Sequence, residues 1–340
     1  MVGTENLRRD GVFALQTLAV AGCYYAAGRL GLLWNLAVEG AVFTPIWPPT
    51  GIAVAGLLIF GLRVWPGIAL GALLVVLHLT SLRPEVLGNL AGNTAAPVCA
   101  YLMLRAVGFR TGLSRLRDGL ALVFLGALTG MLISATVGVG MLVVTDRLHT
   151  HSFWGVWLAW WVGDAMGVLI ITPLLLVLYE ARWPPPLSRW PEATALTIVT
   201  CGVMPLVTHS RLSVLFLVYP LLIWAALRFQ LVGSMLCALI ASVMATVSAA
   251  EEVGPFEGLN QIEMMIKLQA FNGTIALTAL LLSAVMTEQR NTRRSVERAC
   301  QELVEVLEHL TAGDAARGRP SRPKGEAETD DGPRQREGGR

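Results

Sequence analysis

From Gly11 to Met286 the chain is a succession of apolar runs, most of them close to the ~20 residues an α-helix needs to cross the hydrocarbon of a bilayer. Only short clusters of charge, proline and glycine interrupt them. In lipid every backbone N–H and C=O has to be satisfied within the protein, so repeated runs of this length fold as helices. Composition agrees. Of the 340 residues 54% are hydrophobic and 15% charged, as in a polytopic membrane protein. Membrane lipids are therefore the expected surroundings. A formal net charge of +2 gives no argument for nucleic acid as a partner.

Reading the runs between breaks gives ten segments, near 11–34, 47–62, 65–82, 86–107, 119–145, 153–179, 192–208, 212–227, 231–250 and 267–287. Loop arginines orient them. With Arg8 and Arg9 in the cytoplasm, the inner loops hold Arg63, then Arg105, Arg110, Arg115 and Arg117, then Arg182 and Arg189, then Arg228, and finally Arg290, Arg293, Arg294 and Arg298. The outer connections hold only Arg83, Arg147, Arg211 and Lys267. Both termini are expected in the cytoplasm, in an all-α bundle of 8–10 transmembrane helices. The stretch 47–82 opens with "WPPTG" and can also be drawn as a re-entrant hairpin, which changes the span count but not the side of anything downstream. "FGLRVWPGIALGALL" (60–74) and "AALRFQLVGSMLCALI" (225–240) echo each other faintly, an apolar run, an arginine, a break and a glycine-containing run.

The expected organisation is a cytoplasmic N-terminus (1–10), a transmembrane domain (11–287), a cytoplasmic linker helix (288–312) and a disordered tail (313–340). In the linker Val296, Cys300, Leu303, Leu307 and Leu310 recur at spacings of four and three, a heptad seam that predicts pairing with a second copy of the chain. The tail has no large apolar residue. "VAGC" (20–23) resembles a lipoprotein cleavage box, but apolar sequence continues past Cys23 and the segment reads as a span. The five cysteines form no CxxC pair, and His149 with His151 is too small a set for a metal site. No cofactor is expected, and no motif for hydrolysis, phosphate binding or dinucleotide binding supports an enzyme.

One residue carries most of the functional information. Asp164 is the sole charge between Phe153 and Tyr179, and a carboxylate at mid-span costs about 2.5–3.5 kcal/mol on insertion scales. It is expected to face the protein interior, either as a ligand or proton site or as the counter-charge of an arginine. Gly163 and Gly167 form a GxxxG pair that permits close helix approach, and Thr172 lies on the same side as Asp164, ahead of Pro173. Trp154 and Trp157 read as an interfacial belt, while Trp160 and Trp161 lie deeper, where an indole could hold an organic ligand. Pro48 and Pro49 remove two backbone donors at membrane depth, a break tolerated only in a protein interior or at a cavity wall. Thr50 can cap the helix that follows. Asn89 and Asn93, one turn apart, share a helix face. The candidate ligand set is thus Asp164, Trp160, Trp161, Asn89, Asn93, Pro48, Pro49 and Thr50.

The blocks "IWPPTGIAVAGLLIFGLRVWPGIALGALL" (46–74), "GNTAAPVCAYLMLRAVGF" (92–109), "SATVGVG" (134–140), "WWVGDAMGVLIITPLLL" (160–176) and "YPLLIWAALRF" (219–229) resemble, in this order, the bacterial membrane-associated sensor domain of MASE type one. The resemblance covers about residues 11–290. It implies a sensory input domain that detects a small ligand or membrane cue and is usually joined at its C-terminus to a histidine kinase or a diguanylate cyclase. After the linker no phosphoacceptor-histidine helix, ATP-binding block or GGDEF-like motif follows, so the expected signalling output is a separate protein of one of those kinds. The alternative reading of the residues is a small-molecule permease or transporter-like subunit.

Overall fold

The computed structural model describes residues 2–33, 36–38, 41–79, 84–180, 190–210 and 214–317. Arg83, Arg182, Arg189, Arg211 and the tail from residue 318 lie outside them. The chain is helical, as the hydropathy requires, apart from one short antiparallel hairpin, β1 (Leu36–Val38) with β2 (Ala41–Phe43). The helices are α1 (Val2–Gly31), α2 (Pro48–Phe60), α3 (Trp65–Leu79), α4 (Pro84–Ala106), α5 (Leu116–Ala121), which continues as a π-helix over Leu122–Thr129, α6 (Leu132–Val144), α7 (Phe153–Glu180), α8 (Trp190–His209), α9 (Val218–Ala250) and α10 (Gln261–Arg317). Two compact units divide the chain, Met1–Arg290 and Asn291–Arg340.

Each of the ten expected segments is helical, but seven helices among the described residues are long and apolar enough to cross a membrane. The difference has three causes. The α2 helix has only 13 residues. The α4 helix is diluted by its asparagines. The α9 stretch of 33 residues joins two helices across a kink and folds back there: Gln230 has φ 56° and ψ −141°. A Cβ on Gly233 would lie 3.2 Å from the carbonyl oxygen of Ala225, eight residues earlier, where a straight helix separates them by about 12 Å. The arm before Gln230 runs parallel to α10, with Tyr219 bonded to Thr274 and Arg290 donating to the Leu227 carbonyl. The arm after it runs antiparallel, with Ser234 bonded to Ser283 and Lys267 donating to the carbonyl of Pro255 just beyond.

The α2–α3 pair is a second hairpin of this kind. Pro48 lies against Gly31 and Val20 against Gly56, so α2 descends along α1; Gly71 against Ala21 and Val75 against Gly28 show α3 climbing back beside it. Gly61, φ 85°, makes the turn, a backbone conformation that costs glycine nothing. The two echoing stretches, 60–74 and 225–240, therefore sit at corresponding hairpin turns, each with its arginine, Arg63 and Arg228.

One end of the first unit is arginine-rich. Phe60 packs on Tyr179, Thr111 bonds Glu180, the Leu116 N–H bonds Glu288, and Arg228 pairs with Glu192. These contacts gather Arg63, Arg115, Arg117, Arg228 and Arg290 at that end, as the loop-charge pattern requires. The opposite end carries the β hairpin.

In the second unit α10 continues past 312 to Arg317, so residues 313–317, expected in the tail, are helical. Val296, Cys300, Leu303 and Leu307 are exposed there; the side chain of Leu310 lies outside the described ones.

Candidate functional site

The site is built on the crossing of α7 with the segment that leads into α2. Residues 44–47 are non-helical because Pro48 and Pro49 cannot donate and hold the preceding residue out of the α region. Their backbone groups are nevertheless satisfied. The Trp47 N–H donates to the Gly163 carbonyl (3.0 Å), and the Gln269 side chain of α10 donates to the Pro45 carbonyl (3.1 Å). Thr50 Oγ1 lies 2.7 Å from the Trp47 oxygen and 3.0 Å from the Asp164 backbone oxygen. Thr172 donates to the Gly51 carbonyl (3.0 Å), on the α2 side of α7, which runs on through Pro173.

This joint explains both glycines. A Cβ on Gly163 would stand 2.6 Å from the Thr44 oxygen, and one on Gly167 would overlap the Trp47 oxygen. The GxxxG pair thus receives the carbonyls of Thr44 and Trp47, and at Gly167 the first turn of α2 as well, where Thr50 Oγ1 lies 2.5 Å from the Cβ position. Thr50 bridges strand and helix instead of capping α2, whose N-cap is Trp47 with no side-chain cap.

The Asp164 side chain points the other way, toward α6. Ser134 Oγ donates to Oδ2, and the Trp160 indole, one turn earlier, is a second hydrogen-bond partner. The α6 helix matches this pair in antiparallel register: Ser134 meets Asp164, and Gly138, one turn on, leaves room for Trp160, whose ring atoms lie 2.9–3.3 Å from where a Cβ would be. Neither partner of Asp164 is cationic, and among the described residues no arginine lies against it.

Asp164 forms the floor of a cavity of about 130 Å³ between α1, α3, α4 and α7, on the β-hairpin side of the bundle. Tyr24, Trp47, Asn89, Asn93 and Trp160 line it with Asp164, and Val75 and Val76 of α3 supply an apolar wall. Asn93 Nδ2 donates to both the backbone and side-chain oxygens of Asn89, leaving Asn93 Oδ1 buried with no protein partner. The Trp47 indole lies beside the Tyr24 hydroxyl.

Of the residues expected from sequence, Asp164, Trp160, Asn89 and Asn93 meet at this cavity, and Pro48, Pro49 and Thr50 stand behind its wall. Trp161 does not join them. Its indole donates to the Leu128 carbonyl (2.7 Å) and its ring stacks on Trp157 at 5.6 Å. Leu128 lies near the π-to-α junction, where Gly130 N bonds back five residues to Leu125 and the regular helical pattern is interrupted, leaving a carbonyl for an outside donor. Trp154 is exposed and Trp157 bonds Thr136, so both stay outside the cavity. Sequence reasoning missed Tyr24, Trp47 and Ser134. Ser134 was signalled by its one-turn spacing from Gly138; Tyr24 by lying one turn before Gly28, on the face that α3 approaches.

The MASE1 family profile matches residues 16–290, most of the chain. The chain belongs to the MASE1 family. MASE1 is a membrane sensory domain, and the sequence resemblance is borne out over the expected range. The chain is also similar to the probable diguanylate cyclase DgcE of Escherichia coli (strain K12), 26% identical over 233 residues. That match covers 64% of the chain and 20% of the relative, so the chain spans about a fifth of that protein's length. No solved structure matches.

Proposed function

We propose that this MASE1 domain detects a small ligand in the Asp164 cavity and passes its occupancy along α10 to a separate signalling protein. The observation that carries the reading is the buried carboxylate: it faces a polar and aromatic cavity with Ser134 and Trp160 beside it and, among the described residues, no cation to balance it. Lipid-embedded ionisable groups are expensive, and this one is placed where a ligand can interact with it.

A route to the output starts in the same wall. Gln269, which holds the Pro45 carbonyl, lies on α10, the helix that runs on into the 288–312 segment. A ligand that favours one arrangement of the 44–47 segment biases α10 through this bond, the differential interaction a population shift requires. The exposed seam of Val296, Cys300, Leu303 and Leu307 supports pairing of two copies, and a diguanylate cyclase or histidine kinase is the proposed recipient. In this reading the arginine-rich end faces the cytoplasm of a bacterial inner membrane, with both termini there.

Asp164→Asn tests the proposal. The amide keeps the size of the side chain and can accept from Trp160 and Ser134, so the variant is expected to express and melt like the native protein while losing the response. A variant that melts several degrees lower yet still responds overturns the assignment. The paired hairpins α2–α3 and α9 favour a second reading, a transporter with two related halves. Substrate-dependent uptake into proteoliposomes would establish that reading and displace the sensory one.

A further inference from the structure

Resting on the reading of the Asp164 cavity as a ligand site, we infer that its ligand is a small primary ammonium, a protonated amine head on a short apolar body. The hydrogen-bonding groups of the wall point to the class. The Trp160 indole lies by Asp164 and the Trp47 indole by Tyr24. The amide donor of Asn93 is already used, and its orientation is fixed because the atom that faces the two oxygens of Asn89 has to be nitrogen. What remains in excess is acceptor capacity: Asn93 Oδ1, buried without a partner in a side chain only 7% exposed, and the carboxylate of Asp164, 1% exposed. Against these stand the hydroxyl hydrogens of Tyr24 and Thr44 and the amide hydrogens of Asn89, all on neutral groups, whereas one of the two acceptors is a carboxylate. A buried acceptor left unpaired costs about 1–3 kcal/mol, so a ligand that brings several donors is selected over one that brings acceptors.

Charge points the same way. Among the described residues the lining contains one acid and no Lys, Arg or His. Arg29, on the helix that carries Tyr24, is exposed and lies by Tyr25 and His78 instead. An anion would meet a carboxylate with nothing to offset it. Trp47, Trp160 and Tyr24 add aromatic rings, whose faces attract cations within about 6 Å. The apolar wall of Val75 and Val76 takes the hydrocarbon body, and the 130 Å³ cavity limits that body to a few heavy atoms. Primary rather than quaternary nitrogen follows from the acceptors, which need N–H groups to bond.

The experiment uses the full chain in lipid nanodiscs and measures binding by tryptophan fluorescence and calorimetry. The probes are butylamine, its neutral isostere butanol, butyrate, tetramethylammonium and sodium ion. Butylamine is expected to bind saturably, with butanol at least roughly tenfold weaker, the loss of one charge-assisted hydrogen bond. Asp164→Asn is expected to weaken butylamine by a similar factor. Asn93→Val, away from the carboxylate, is expected to weaken it severalfold, and it serves if the first variant folds poorly. Gly155→Ala is the neutral control. Equal binding of butanol, preferred binding of butyrate or tetramethylammonium, displacement by sodium alone, or no saturable amine binding to folded protein each overturns the ligand class. Fusing a cyclase output to the linker separates the two layers of the argument. Amine binding that never changes output overturns the sensory reading and leaves the ligand class standing, whereas a neutral ligand that binds and changes output does the reverse.

Discussion

Replacing Gly167 by alanine adds one carbon at the tightest point of the first unit. That carbon would overlap the Trp47 carbonyl oxygen and stand 2.5 Å from Thr50 Oγ1 and 2.8 Å from the Trp47 carbonyl carbon. Backbone cannot rotate aside as a side chain can, so α7 and the 44–51 segment have to separate. Separation lengthens three interhelical bonds at once, Trp47 to Gly163, Thr50 to Asp164 and Thr172 to Gly51, each 3.0 Å. Bonds of this kind inside membranes average about 0.6 kcal/mol, so their loss is worth roughly 2 kcal/mol. Overpacking adds roughly 1–3 kcal/mol, and the better helix propensity of alanine returns about 1 kcal/mol. The expected net loss is about 2–4 kcal/mol. Thermal unfolding in detergent, followed by tryptophan fluorescence, measures it, with Gly155→Ala on the same helix as reference, since nothing lies within 4 Å of that position. If the two variants melt together, the close crossing of α2 and α7 is wrong, and with it the geometry that aims Asp164 at the cavity.

Gln269→Leu removes the bond from α10 to the Pro45 carbonyl; ligand affinity is expected to change less than threefold while the response in a cyclase fusion falls by most of its amplitude, and an intact response excludes this route. Gln230 sits in a backbone region nearly reserved for glycine, with a strain of roughly 1–3 kcal/mol, so Gln230→Gly, after the entropy glycine loses, is expected to stabilise the protein by about 1 kcal/mol. A lower melting temperature for that variant would show that α9 does not fold back there. Mild oxidation of membranes is expected to cross-link two chains through Cys300, whereas Glu305→Cys in a Cys300→Ser background, on the opposite face, stays monomeric. The reverse result misassigns the seam.

Much of this was legible in the sequence, and the reason is particular to membranes. Length and hydropathy determine that the segments are helices, because lipid leaves the backbone no other way to satisfy itself. Arginines mark the ends. Inside the hydrocarbon the residues that stand out are those lipid would reject or those too small for it. Asp164, Asn89, Asn93, Gly163 and Gly167 stand out on that ground; all but the half-buried Asn89 are buried.

Tertiary structure decided what such marks cannot carry. Lipid-facing and core-facing side chains are equally apolar, so hydropathy says little about which face of α1 or α3 turns inward, and Tyr24, Val75 and Val76 went unnoticed. Trp160 and Trp161 are indistinguishable by type. One enters the cavity because Gly138 leaves room for its ring, and the other turns away to the Leu128 carbonyl. The two α7 glycines proved to meet the backbone ahead of Pro48 and the first turn of α2, since a small-residue pair announces a close approach but not what approaches. Gln230 carried no turn signature at all. Its conformation is imposed by the packing of both arms of α9 against α10, a constraint between residues some fifty positions apart that no local pattern records.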